Sequence, residues 1–315
     1  MTDDETIQSH ARYGHPVIAT LAGIAVLVIA ALIVPMLAAQ QPMTTLLGAG
    51  ATAGLLLWVI GFVATTRHAG AGWRLGSLAI LLAAGAGAGL IAHGQYQARA
   101  RADASSFAEI ELGTDGAPQL PSGVTGRGPI SRLYARNVKS DAEDVRDFNT
   151  ALAKLGLAAM TSPYLLQQDS RAIQNCAAIG QVSNIAEIQH RNRRQREAAL
   201  AAAIDRASLP ASARRGIATV AIGVNENDNQ LANRRAMLDA ASELCTLLAR
   251  RSWYNDGGLF GFRSSGDAAA FEASKQRRLR IASEGEALVR AARDRITAGR
   301  EQVRTASSRS IYTGD

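Results

Sequence analysis

The chain has 315 residues, of which 47% are hydrophobic, 19% charged and 5% aromatic, and its formal net charge is +7. The charges are unevenly placed: residues 1–93 hold three acidic and three basic side chains, whereas the remaining 222 residues hold 24 and 31. A nearly uncharged N-terminal third joined to a body of ordinary polarity excludes a simple soluble enzyme, a disordered tail protein and a small disulfide scaffold.

Three apolar segments follow a short N-terminal tail, residues 1–16. Residues 17–39, 45–66 and 75–92 contain no Asp, Glu, Lys or Arg. About 20 apolar residues in a helix suffice to cross the hydrocarbon core of a bilayer. The sequence therefore predicts a three-helix transmembrane region over 17–93, with the lipid bilayer as its surroundings.

Small residues are spaced four apart on the second and third of these segments. The two GxxxG pairs are Gly50 with Gly54 and Gly85 with Gly89. Such spacing lets two helix backbones approach closely in lipid. We expect these glycines either to pack the two helices against each other within one chain or to reflect only the high Ala and Gly content of the segments. A contact between copies is the alternative.

The short polar segments indicate an orientation. The N-terminal tail and the second loop share one side and carry Arg12, Arg67 and Arg74, whereas Arg99 and Arg101 follow the third segment. Positive charge in short loops favours the cytoplasmic side. We therefore expect a multi-pass protein of the bacterial inner membrane, with a cytoplasmic N-terminus and a periplasmic C-terminal domain.

The polar body begins with a segment rich in Gly and Pro. Residues 94–139 are predicted to form a linker, because eight Gly or Pro residues lie between positions 113 and 129. The pattern Ser140 to Glu143 is typical of a capping box, which predicts a helix from about residue 140 to 160. Residues 309–315 are expected to form a C-terminal tail.

Three long helical candidates complete a predicted bundle over 140–308. They cover 163–207, 210–253 and 267–308, separated by Pro210 and by a Gly-rich run. The second has apolar residues at a and d positions of one heptad frame, namely Ile217, Val220, Val224, Leu231, Leu238, Ala241, Cys245 and Leu248. The predicted fold class is all-α: three transmembrane helices, then an antiparallel bundle with a coiled-coil-like hairpin and flanking helices.

A hairpin that turns near Pro210 places Cys176 opposite Cys245. These are the only two cysteines in the chain. Thiols on facing turns of paired helices can meet the separation that a disulfide requires. We therefore predict a Cys176–Cys245 disulfide, which fits a location outside the cytosol. Two buried, unreacted thiols are the alternative.

The same register predicts a polar layer in the middle of the hairpin. It brings Arg191 to Asp228 and Arg193 to Glu226, and Asn227 and Arg234 interrupt the apolar heptad positions. Polar residues at such positions can fix the register of paired helices. We expect that role for the layer, and lining a ligand cavity is the alternative.

An aromatic loop follows the second long helix. It contains Trp253, Tyr254, Phe260, Phe262 and Arg263. The aromatic rings could enter the membrane interface beside Arg263, contact a partner, or cover the end of the bundle core.

No pattern for catalysis or cofactor binding is present. The chain lacks GxxxxGK[ST], GxGxxG, GxSxG and HExxH, and His190 has no neighbouring ligand residues. We expect no catalytic residue, cofactor or metal, and therefore no enzyme. An enzyme with an unrecognised site is the least favoured alternative.

The leading functional hypothesis is a non-catalytic scaffold, sensor-like binding module or accessory subunit of an envelope complex. The alternative is an oligomeric subunit of a transport or secretion assembly. We expect a protein partner or self-association. The 28 Arg and three Lys of the body allow an anionic envelope component as a partner, although a solvated face explains them as well. Nucleic acid is not expected as a partner.

Overall fold

The computed structural model describes residues 15–38, 41–64, 70–113, 116–124 and 127–312. The protein is all-α, and 82% of the described residues are helical. It divides into two compact units, Met1–Ala100 and Arg101–Asp315.

The first unit contains the three apolar segments as helices. They are α1 (Pro16–Leu37), α2 (Met43–Ala64) and α3 (Ala71–Ala108), and α3 continues into the second unit. Each is long and apolar enough to cross a membrane. The third prediction was too short, because the helix does not end at residue 92. Of the arginines used to predict the orientation, Arg12 and Arg67 lie outside the described residues.

Glycines hold α2 and α3 together. Gly50 and Gly85 face each other, and a Cβ on either would meet the backbone carbonyl of the other. A Cβ on Gly54 would likewise meet the carbonyl of Leu81, and one on Gly89 would meet that of Leu46. Both GxxxG pairs are therefore used for packing within one chain, as we expected.

The second unit is a bundle of helices of very unequal length. After α3 come β1 (Glu111–Leu112) and β2 (Pro118–Gln119), an antiparallel pair, and then α4 (Pro129–Lys154). The predicted linker 94–139 is therefore shorter, because α3 extends to Ala108 and α4 begins at Pro129.

The capping box at Ser140 does not start a helix. The first turn of α4 is instead held by Asp103 of α3, whose carboxylate accepts hydrogen bonds from the backbone N–H groups of Ile130 and Ser131, both at 2.8 Å. Pro129 suits the first helical position because it needs no hydrogen-bond acceptor for its nitrogen.

Two of the three long candidates are more interrupted than predicted. A 3-10 turn (Leu157–Thr161) precedes the first, which becomes α5 (Pro163–Gln168), α6 (Arg171–Gln174) and α7 (Ala178–Arg206). The second becomes α8 (Ala211–Ala221) and α9 (Val224–Ala249). The last is α10 (Ser265–Tyr312), a single helix of 48 residues.

The antiparallel hairpin is formed by α7 with α8 and α9, and α10 packs along α8 and α9. The heptad positions face the core as predicted: Ile217, Val220, Leu238, Cys245 and Leu248 are all at most 2% exposed. The prediction of one unbroken helix over 210–253 was wrong, because the chain leaves helical geometry at Ile222 and Gly223.

The disulfide predicted between Cys176 and Cys245 is present, with a Cα–Cα distance of 5.7 Å. It lies at the end of the hairpin away from Pro210. There Ile173, Ile179, Leu244 and Leu248 belong to one apolar core. The bond therefore joins the short helices before α7 to the C-terminal half of α9.

Candidate functional site

The candidate site is a cleft in the second unit, where α4 packs on α7 but stands apart from α9 and α10. We call it the polar cleft, and its volume is about 770 Å³. Its polar lining comes from all four helices, and these side chains are Tyr134, Asn137, Lys139, Asp141, Arg146, Arg193, Arg196, Glu197, Glu226, Asn227, Gln230, Arg234 and Arg295.

Ion pairs between α4 and α7 form one wall of the cleft. Arg196 donates to Asp141 at 2.6 Å and to Asp144 at 2.7 Å, and Arg193 donates to Asp141 at 3.2 Å. Arg193 also reaches α9, donating to Asn227 at 3.1 Å and Gln230 at 3.4 Å. Arg193 of α7 therefore links α4 and α9 across the cleft.

Glu197 closes the gap between α8 and α9. Its carboxylate accepts hydrogen bonds from the backbone N–H of Gly223, at 3.4 Å, and from the side chain of Asn227. Burial raises the pKa of Glu197, although the hydrogen bond from Gly223 and the charge of Arg193 act in the opposite direction. A buried carboxylate thus supplies the N–H acceptor that the start of α9 requires.

Arg295 of α10 binds the backbone carbonyls on the α8 side of the same break. Its guanidinium donates to the backbone carbonyls of Thr219 and Val220, in the last turn of α8, and to Glu226 at 2.8 Å. A cation at a helix C-terminus is favourable because the carbonyls there carry partial negative charge. Charged side chains therefore satisfy the backbone on both sides of the break, at the end of α8 and at the start of α9.

Arg234 differs from the other arginines of the cleft. Its guanidinium lies over the ring of Phe148, with 5.0 Å between the guanidinium carbon and the ring centroid. Within the described part of the chain it donates no hydrogen bond and forms no ion pair. Burial, followed by the charge of Arg193, lowers the pKa of Arg234, although the charges of Asp144 and Asp141 act in the opposite direction. Both carboxylates are paired with other arginines, so the cleft contains a partly buried cation that forms no ion pair of its own.

The structure places the predicted polar layer in the right region but in different pairs. Asp228 contacts His190, at 3.0 Å, and Arg194, at 3.5 Å, rather than Arg191. Arg191 is exposed. The predicted pairing of Arg193 with Glu226 was also wrong. Glu226 forms an ion pair with Arg295, and Arg193 donates to Asp141 and Asn227 instead.

The aromatic loop forms a β-hairpin rather than an irregular run. Its strands are β3 (Trp253–Asp256) and β4 (Leu259–Phe262), with positive φ at Gly257 and Gly258 in the turn. Phe260 and Phe262 both lie 5.1 Å from Phe271, measured between ring centroids.

This hairpin covers the disulfide end of the core, which favours the third of the three interpretations of the loop. Trp253, Phe260 and Phe262 are partly buried against that core. The outer side chains are more accessible, with Tyr254 45% exposed and Leu259 75% exposed. Arg263 is exposed as well.

Sequence reasoning missed most of the polar cleft. Tyr134, Asn137 and Val138 of α4 were assigned to the linker, and Arg295 was not singled out. The cleft could have been located from Asn227 and Arg234, which stand at otherwise apolar heptad positions. We had explained these two polar residues by a role in fixing the register of the helices.

Neither metal-binding groups nor similar proteins point to a further site in the described part of the chain. The described residues contain no group of three or more His, Cys, Asp or Glu side chains that could hold a metal ion. No protein-family model, curated protein or solved structure matches the chain.

Proposed function

We propose that the protein is a membrane-anchored, non-catalytic binding module whose helical bundle holds a ligand in the polar cleft. The observation that carries this proposal is the cleft itself: four helices supply charged side chains to it, and Arg234 forms no ion pair with any described residue. A volume of about 770 Å³ is in the range of ligand sites, which are commonly about 300–1,000 Å³. The module would serve as a sensor-like domain or as an accessory subunit of an envelope complex.

The proposed location is the bacterial inner membrane, with the bundle in the periplasm. The disulfide supports this side, because such bonds persist in oxidising compartments and are rare in the cytosol. The distribution of arginines in the short loops points the same way.

The alternative, an oligomeric transport or secretion subunit, rested on the GxxxG pairs. Those glycines are occupied in packing α2 on α3 of the same chain. No observation then favours this alternative over the binding module.

Native mass spectrometry of the full chain, released from lipid nanodiscs, tests the proposal. We expect a small-molecule adduct on the protein purified from membranes and its loss in Ala292→Trp, because Ala292 lines the cleft and the indole would fill it. Ala298→Trp, an exposed position on the same helix, is the matched control and should keep the adduct. Equal adducts on the two variants, or no adduct on the wild type, would contradict a ligand-binding cleft.

A further inference from the structure

We propose that the polar cleft binds a small amphipathic anion, with a carboxylate or phosphate on Arg234 and an apolar body along α4 and α10. This inference rests on the proposed function and names the chemistry of its ligand. It follows from the charge of the cleft, the situation of Arg234 and the apolar part of the lining.

The cleft carries a surplus of positive charge. Its lining includes six Lys or Arg side chains and three Asp or Glu side chains. The three acidic groups are already engaged, Asp141 by two arginines, Glu226 by Arg295 and Glu197 by Asn227. A cation or a neutral polar ligand would leave the surplus uncompensated, whereas an anion would reduce it.

Arg234 is the cation best suited to the anion. Lys139 and Arg146 are exposed and hydrated at the rim, but Arg234 is partly buried and has lost much of its water. Phe148 supports one face of its guanidinium, which leaves the N–H donors at the edge available. That edge has the fork geometry that matches two oxygens of a carboxylate or phosphate.

Apolar side chains line another part of the cleft. Val145 of α4 is 37% exposed and Val289 of α10 is 40% exposed, and Val138 and Ile296 extend the same lining. Covering this surface is favourable because it removes apolar area from water. A ligand with an apolar body beside its anionic group satisfies both parts of the cleft.

Isothermal titration calorimetry, with the full chain in zwitterionic nanodiscs and empty nanodiscs as the blank, tests the inference. The probes are hexanoate, hexyl phosphate, inorganic phosphate and hexanol, so that each arm isolates the carboxylate, the phosphate or the apolar body. We expect one or both of the six-carbon anions to bind at least tenfold more tightly than inorganic phosphate and hexanol. Hexanoate alone would identify a carboxylate source, and hexyl phosphate alone a phosphate-ester source.

Variants then assign the anion to Arg234. Arg234→Gln should weaken binding of the six-carbon anion at least tenfold, because it removes a charge-assisted, forked hydrogen bond. Arg191→Gln, an exposed position on α7, is the matched control and should bind as the wild type does. If Arg234→Gln does not fold, Arg234→Lys keeps the charge but not the fork, and it should still bind several-fold more weakly.

Two results would overturn the inference. One is that neither six-carbon anion binds the wild type more tightly than hexanol does. The other is that the folded Arg234 variants bind the anion as tightly as the wild type does. If Ala292→Trp abolishes binding in the second case, the cleft remains the ligand site and only the assignment to an anion on Arg234 fails.

Discussion

At the scale of single residues, a few buried charges hold the bundle together. Asp103 is 1% exposed and accepts the first two free N–H groups of α4. We expect Asp103→Ala to lower the free energy of unfolding by about 2–4 kcal/mol, because two buried donors lose a charged acceptor. Thermal unfolding followed by circular dichroism measures this. Asp239→Ala, at an exposed position on α9, should change stability by less than about 0.5 kcal/mol.

Glu197 gives the bundle a dependence on pH. Burial raises its pKa above the ordinary value of 4.5, so the folded state holds its proton to a higher pH than the unfolded state does. The contribution of Glu197 to stability therefore falls as pH rises from 4.5 through the raised pKa of the folded state.

Glu197→Gln should remove that dependence. The amide oxygen can still accept from Gly223, and no charge has to be buried above the raised pKa. Unfolding midpoints measured between pH 4 and 7 should decline less with rising pH in the variant than in the wild type. A steeper decline in the variant would contradict the role given to this carboxylate.

At the scale of elements, the break between α8 and α9 depends on Arg295. Arg295→Gln removes the cation from the α8 carbonyls and leaves Glu226 without its partner, so we expect a loss of about 2–4 kcal/mol. Arg290→Gln on the same helix is the control, because the Arg290 side chain is 66% exposed and pairs with Glu286 only at 3.9 Å. Equal stabilities of the two variants would show that Arg295 does not hold the break.

The packing of α2 on α3 predicts opposite effects for two neighbouring glycines. A Cβ at Gly85 would meet the backbone of Gly50, whereas one at Gly87 would meet nothing within 4 Å. Gly85→Ala should destabilise the first unit by about 1–3 kcal/mol, and Gly87→Ala should be neutral or stabilise it by up to about 1 kcal/mol. Unfolding in SDS compares them directly, and effects of the same sign would contradict this packing.

The apolar helices, the hairpin and its disulfide could be predicted from the sequence. Apolar runs and heptad spacing located the membrane helices and the buried side of the hairpin, and the positions of two cysteines located their bond. The spacing could not show the break at Gly223, because the apolar positions continue across it in one frame. The groups that satisfy the break, Glu197 and Arg295, come from other helices.

The polar cleft was less predictable for a related reason. Its charged pairs join residues far apart in sequence, such as Arg193 with Asp141 and Arg295 with Glu226. A hairpin register fixes which turns of two helices face each other, but not which partner a long side chain chooses. The start of α4 at Pro129 depends on Asp103 of another helix, so local capping signals placed it too late.

At the scale of the whole molecule, the chain combines three apolar helices that could cross a membrane with a disulfide-bonded bundle that contains a charged cleft. Removing the disulfide by Cys176→Ser with Cys245→Ser should lower stability by about 4 kcal/mol, since the bond closes a segment of 69 residues. Chemical denaturation of the double variant and of the wild type, with and without reductant, measures this effect. Reductant should lower the stability of the wild type alone.

We propose that this bonded bundle lies outside the cytosol. The most direct test is labelling of Cys176 and Cys245 in intact cells with a bulky, membrane-impermeant maleimide, read as a gel shift, with the double Ser variant as the blank. We expect no labelling before reduction. With a reductant that leaves the cells closed, the partly buried Cys176 should label, whereas the fully buried Cys245 should label only after reduction and denaturation. Labelling without reductant, and only once the cells are opened and the protein denatured, would place free thiols in the cytosol and contradict this location.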